Sequence, residues 1–271
     1  MYELLLLSTS VLAGFLGSLL GLGGGIIIVP ALTLLFHVNI RYAIAASLIS
    51  VVATSSGAAA SYLKDNLTNL RVAVILEVGT VTGAITGFLL AQKIQSRFLF
   101  FLFGVFLLFS AVMMLRKRSE HASQKDHLWS QKLKLAGSYP GDRGQILPYK
   151  VENVPLGLVI MYFAGVLSAL LGIGSGIFKV LAMDQAMKLP MKVSSATSNF
   201  MIGVTATASA GAFLLRGDVR PEIAAPVSVG IILGSWWGAH VMVKLPSPLI
   251  RKIFVLVLAV ISVQMILKGL S

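Results

Sequence analysis

The 271-residue chain contains no cysteine. Disulfide scaffolds, thiol nucleophiles and iron–sulfur centres are excluded with it. Charge is also scarce, at 12% of residues, about half the usual share. Disordered chains have the opposite composition, polar and highly charged. Acids are the rarer sign, 10 Asp and Glu against 22 Lys and Arg. No nucleotide loop, metal-ligand cluster or nucleophile–base set is present, so no cofactor, metal or catalytic activity is expected. What the chain does have is apolar surface: 56% of residues are hydrophobic, and mean hydropathy is +0.89. One soluble core of this size cannot hide that much. The composition implies an all-α integral membrane protein, multi-pass, in the cell membrane, with the lipid bilayer as its first partner. The formal charge of +12 then belongs to loops that hold the helices in place, and no nucleic acid is expected. The apolar run Met1–Leu20 lacks a basic flank and a cleavage site, and reads as a retained transmembrane segment.

Polar residues concentrate in one place. Arg116–Glu152 carries 12 of the 32 charged residues and contains no apolar span. It divides the chain into a first transmembrane repeat (1–115), a connecting loop (116–152) and a second repeat (153–271). Within the loop, Pro140-Gly141-Asp142 before Ile146–Val151 suggests a small hairpin, with Pro148 disfavouring a central strand.

The two halves repeat each other in a constant register of 151 residues. AGFLGSLLGLGGG (Ala13–Gly25) lies over AGVLSALLGIGSG (Ala164–Gly176), Ser47 over Ser198, Thr54 over Thr205, and Gly79, Gly83 and Gly87 over Gly230, Gly234 and Gly238. Duplicated halves are typical of secondary transporters. Each half has four apolar segments, at 2–36, 40–63, 70–92 and 97–115, then 154–187, 191–215, 220–243 and 248–269. The first of each set is too long for one crossing, since 35 residues of helix reach about 52 Å. Both copies are interrupted by glycine, at Gly21-Leu22-Gly23-Gly24-Gly25 and Gly172-Ile173-Gly174-Ser175-Gly176. About 16 Å of helix follows each break, too short to cross. Each first segment therefore reads as a re-entrant hairpin, followed by three transmembrane helices. Three crossings per half invert the second half. Inversion collects 15 basic residues on the side of the connecting loop and 6 on the other, whereas parallel halves give 13 and 8. The positive-inside rule thus favours inversion, with the loop cytoplasmic and both termini outside.

The paired breaks are the candidate site. Gly21, Gly23, Gly24 and Gly25 in one copy, and Gly172, Gly174, Ser175 and Gly176 in the other, would present free N–H groups and half-helix N-termini to a small anion near the membrane centre. Lys179 is a basic residue in an apolar stretch, three residues past the second break. It either lines an anion path or pairs with Asp184 or Glu77. Glu77, inside a long spanning segment, either couples transport to protons or sits in a water-filled opening. Ser47, Ser198 and Asn199 stand alongside the breaks in the repeat and could hydrogen-bond an oxyanion; interhelical bonding is the competing use. The GxxxGxxxG patterns at Gly79–Gly87 and Gly230–Gly238 are packing surfaces, used either within the chain or across a homodimer.

At GLGGGIIIVPALTLLF (Gly21–Phe36), GIGSGIFKVLAM (Gly172–Met183), AASL (Ala45–Leu48) and ATSNFMIGVTA (Ala196–Ala206), the sequence resembles the TauE/SafE family of sulfite exporters. It departs from the family pattern at Ser175, where Gly is usual, and at Leu181, where Pro is usual, so the two halves of the site need not be equivalent. The resemblance implies export or uptake of sulfite, thiosulfate, sulfonates or small organic acids. The expected function is a secondary transporter or permease for such an anion. A non-transporting membrane scaffold or accessory subunit is the alternative.

Overall fold

A computed structural model describes residues 2–18, 24–64, 67–115, 128–140, 145–242 and 247–270. The first half forms α1 (Tyr2–Ser18), α2 (Gly25–Leu34), α3 (Ile40–Lys64), α4 (Leu70–Lys93) and α5 (Ser96–Leu115). The connecting region contributes α6 (Leu128–Lys132), β1 (Gly137–Pro140) and β2 (Ile146–Tyr149). The second half forms α7 (Val154–Leu171), α8 (Gly176–Leu181), a π-helical turn at Ala182–Ala186, α9 (Met191–Arg216), α10 (Pro221–Met242) and α11 (Ser247–Leu270).

The helices follow from the sequence by a rule specific to lipid. Backbone polar groups have no water to bond there, so long apolar runs must close their own ladders. Four of the helices, Leu70–Lys93, Ser96–Met113, Val154–Leu171 and Lys192–Arg216, are long and apolar enough to cross a bilayer. Their ends carry ordinary stop signals. Asn69 caps α4 by accepting from Val72 N at 3.1 Å, Pro155 stands in the first turn of α7, and Gly217 ends α9 at φ 81°.

The faces are distributed as lipid requires. On α4, Val74, Val78, Ile85 and Leu89 point outward and exposed, while Ala73, Leu76, Thr80, Gly83, Ala84 and Gly87 are buried. A soluble helix exposes its polar face; this one exposes its large aliphatic side chains and buries its small residues. Small residues let backbones approach, which is what binds helices in a solvent as apolar as leucine. The protein is an all-helical, multi-pass integral membrane protein apart from the small hairpin.

The glycine patterns pack inside the chain. A Cβ at Gly79 would lie 2.9 Å from the Leu158 carbonyl of α7, and one at Gly83 or Gly87 would overlap the carbonyls of Tyr162 or Val166. On the other side, a Cβ at Gly230 or Gly234 would run into the carbonyls of Leu7 or Val11 on α1. Thus α4 lies along α7, and α10 along α1, each pair drawn from different halves. Helices α3 and α9 pack together, as do α5 and α11.

The connecting region is docked against one end of the bundle. Strands β1 and β2 pair antiparallel, with Gly137 opposite Tyr149 and Ser138 opposite Pro148. A two-stranded hairpin has only edge strands, which accommodates the missing N–H of Pro148. Leu135, Tyr149 and Val151 are buried with Leu76, Met183, Met187 and Met201 in a second apolar core. Asn69 Nδ2 donates to Leu135 O at 2.9 Å and to the Tyr149 hydroxyl at 2.9 Å. Burial raises the Tyr149 phenol above its ordinary value, and the Asn69 bond offsets part of that rise.

Candidate functional site

The second glycine break is fully described. Helix α7 ends at Gly172, and backbone φ is positive at Gly172 (70°), Gly174 (65°) and Ser175 (51°). Three left-handed residues in four cannot continue a right-handed helix, and two of them are glycine because a Cβ disfavours that conformation. The chain reverses here. Glu152 N donates to Met187 O at 3.0 Å, so the segment that begins with α7 returns to the end from which it set out. The return path is α8 plus the π-helical turn, 11 residues from Gly176 to Ala186.

Of the first break, Gly21-Leu22-Gly23 lies outside the described residues. Gly24 has φ −65° and caps α2, 10 residues long. Gly25 stands against the second break: a Cβ there would lie 2.9 Å from the Gly172 carbonyl oxygen and 2.9 Å from Ser47 Oγ.

Hydroxyl groups from two long helices clasp the second break. Ser47 of α3 donates to Gly172 O at 2.6 Å, bridging the two halves. Ser198 of α9 donates to Gly176 O at 3.2 Å. Asn199 bonds within its own helix, Nδ2 to Ser195 O at 3.0 Å. Ser175 Oγ is buried at the break and has no hydrogen-bond partner among the described residues. The hydroxyls of Thr68, Ser130, Ser168, Ser209 and Ser228 are likewise buried and unpaired among the described residues.

One turn further along, Lys179 N closes the first turn of α8 on Ser175 O. Its side chain is 0% exposed. A lysine at the centre of a membrane helix costs about 2.5–3.5 kcal/mol on insertion scales, so its ammonium must be well satisfied. It is. Nζ stands 3.4 Å from Glu77 Oε1, donates to Met201 O at 2.8 Å, and donates to Thr205 Oγ1. Thr205 Oγ1 in turn stands 3.1 and 3.0 Å from the two Glu77 oxygens. Thr80 donates to Glu77 Oε2 at 2.7 Å. Of the two partners the sequence offered Lys179, Glu77 is the one the ion pair uses. Thr205, the group between them, stands out in the sequence only as the counterpart of Thr54 and is not among the candidate site residues read from it. Its counterpart in the 151-residue register, Thr54, bonds among the described residues to its own helix, at Ser50 O and Val51 O.

In the 151-residue register, Glu77, Lys179 and Thr205 correspond to Ser228, Ile28 and Thr54. The three members come from α4, α8 and α9, and their counterparts from α10, α2 and α3. Charge is therefore built into one of the two equivalent positions.

The helix ends sort into two sets. At one end Asn69 N donates to Thr197 Oγ1 at 3.0 Å, and Arg71 Nη1 to Lys134 O at 3.0 Å. At the other, Arg41 donates to Ile94 O at 3.1 Å, Arg220 stacks 4.9 Å from the Tyr42 ring centre, and Lys268 donates to Thr33 O at 2.7 Å.

Comparisons with known proteins return membrane transporters. The family model described as "Sulfite exporter TauE/SafE" matches residues 6–265. A probable membrane transporter protein of Bacillus subtilis, YunE, is 28% identical over 98% of both chains. A probable membrane transporter protein of Methanocaldococcus jannaschii, MJ0441, is 27% identical over 97% of this chain and 95% of its own. No solved structure matches.

Proposed function

Because the chain belongs to the sulfite exporter TauE/SafE family and is a membrane transporter rather than an enzyme, we propose that it is a secondary carrier of a small anion. Sulfur oxyanions and sulfonates, or related organic acids, are the substrate class, and the cell membrane is the location. The observation that carries this reading is Lys179: a cation with 0% exposure, one turn past a helix break made of left-handed residues. An anion at that place would meet the ammonium, the backbone of the break beyond Gly172, whose own N–H donates to Ser168 O at 2.8 Å, and the Ser175 hydroxyl, unpaired among the described residues. Gly25 would close it from the other half, with Ser47 and Ser198 holding the second break in place. The test is flux. Purified protein in proteoliposomes should move at least one of sulfite, thiosulfate and methanesulfonate well above protein-free vesicles. No flux or binding with any of them in folded protein would return the chain to the scaffold reading.

The inverted arrangement belongs to the same proposal. It is supported by the return of the α7 segment to its starting end at Met187. It is also supported by the two sets of end contacts. Parallel halves would put Asn69 and Thr197 at opposite membrane faces, and likewise Arg220 and Tyr42, whereas each pair is in contact. Single cysteines in this cysteine-free chain test it. Lys134→Cys should react with an impermeant thiol reagent only from the cytoplasm, and Arg216→Cys only from outside. Labelling of both from the same face would restore parallel halves.

A further inference from the structure

Lys179 is saturated as it stands. Its three ammonium hydrogens face three acceptors: Met201 O at 2.8 Å, Thr205 Oγ1, and Glu77 Oε1 at 3.4 Å. An anion that binds this ammonium must take the place of one of them. Met201 O is backbone and Thr205 is a neutral hydroxyl. Glu77 alone has the chemistry of the incoming ligand, and its contact is the longest of those with a stated distance. We propose that Glu77 stands in for the substrate anion on Lys179 in the unloaded carrier, and that each anion bound there displaces it in exchange for one proton taken up by Glu77. This rests on the anion-carrier reading above.

The proton follows from charge. A displaced carboxylate would keep Thr80, at 2.7 Å, and Thr205, at 3.0 Å, as hydroxyl neighbours, but no counter-charge among the described residues. The titratable side chains on the elements around it are Tyr162 on α7, Lys192 and Arg216 at the two ends of α9, Lys179 on α8 and Asp184 on the π-helical turn; on α4 itself they are Arg71 and Lys93 at its ends. Of these, Lys179 makes the ion pair with Glu77. Once Lys179 turns to the ligand, Glu77 is 7% exposed and carries an uncompensated charge, which costs several kcal/mol in a low-dielectric site. A proton from the water that admits the anion converts the carboxylate to a carboxylic acid. Lys179 stays an ammonium throughout. The site is neutral before, as Lys⁺ with Glu⁻, and neutral after, as Lys⁺ with a monovalent anion and a protonated Glu77. Thr80 and Thr205 serve both states, because a hydroxyl donates to a carboxylate and accepts from a carboxylic acid. With Ser228, Ile28 and Thr54 at the equivalent position in the other half, there is one such exchange per chain, and a monovalent anion crosses together with one proton.

The experiment measures proton uptake by the purified full-length protein in weak buffer as methanesulfonate or thiosulfate is added. Both are anions of strong acids and do not themselves take up a proton near neutral pH; thiosulfate is divalent, so methanesulfonate, the monovalent probe, carries the stoichiometry. Wild-type protein should take up one proton per methanesulfonate bound. Its apparent Kd should rise about tenfold per pH unit above the range in which Glu77 protonates, as linkage requires for one proton. Glu77→Gln should bind without proton uptake and with a Kd that is flat in pH. Binding by wild type without proton uptake overturns the exchange and leaves the anion carrier standing. Undiminished uptake in E77Q also overturns it, by placing the proton elsewhere. Binding of neither anion by wild type removes the carrier reading for this substrate class and the exchange with it. The wild-type stoichiometry decides the matter even where the variant does not fold.

Discussion

Lys179→Met should abolish anion binding and transport, and on its own it should also weaken the fold. The substitution keeps the length of the side chain and removes its charge. Glu77 is then left at 7% exposure without its cation, and Met201 O and Thr205 Oγ1 lose a donor. Breaking a buried pair from one side costs about 3–5 kcal/mol. Loss of transport in this variant alone would therefore say little. The double variant Lys179→Met/Glu77→Gln separates the two effects. It removes both charges, so thermal unfolding in detergent should return most of the way to wild type. Anion binding should not return, because the cation that attracts the ligand is still missing. Wild-type affinity in the folded double variant would make Lys179 and Glu77 an internal pair and nothing more.

Gly174→Val should cost at least tenfold in transport while the helical bundle stays assembled. Gly174 has φ +65°, and a Cβ there would lie 2.8 Å from Ile202 Cγ2 and 3.2 Å from Val51 Cγ1. The left-handed conformation costs an ordinary L-residue about 1–2 kcal/mol, and a β-branched side chain adds the collision. The break would relieve both by changing its backbone, which moves the N–H groups that an anion would use. Gly24 is different. Its φ of −65° suits any residue, and the nearest atoms to its added Cβ belong to the flexible Ile231 side chain, at 3.0 Å. Gly24→Val should therefore be milder. Equal loss in the two variants would point to bulk alone and against a special backbone at Gly174. Helicity by circular dichroism checks that each variant retains its fold.

Much of this arrangement was legible in the sequence because it rests on composition and on glycine. The lipid-exposed helices follow from hydropathy, and the second break from three glycines within five residues, each costing a helix about 1 kcal/mol against Ala. The hairpin at 137–149 was legible from its turn residues. The fate of the polar side chains was harder to read. Whether Lys179 turned to Asp184 or Glu77 depended on the crossing of α4, α8 and α9, which local spacing does not determine. Thr205 was one hydroxyl among several in Ala196–Ala206, and only the packing of α9 against α4 gives it two charged neighbours. Ser47 looked like its mate Ser198, yet Ser47 reaches across to Gly172 of the other half while Ser198 stays with Gly176 of its own. The π-helical turn after α8 had no signal in residue type; such turns often accompany functional sites in helices.

The exchange of partners between halves bears on how the protein is made. Helix α1 has Gly14 against the Ile231 backbone and Val11 against Gly234, so its neighbour is synthesised more than two hundred residues later. At roughly 5–20 residues per second, α1 waits on the order of 10–40 s before α10 emerges. Helix α4 waits less, since α7 follows the connecting region directly. A ribosome that stalls before α10 leaves α1 with its glycine-facing groove open to lipid and to other nascent chains. Membrane quality control would meet this protein first through that half-finished groove, and a separately expressed 153–271 fragment is the natural partner to rescue a chain truncated after residue 152.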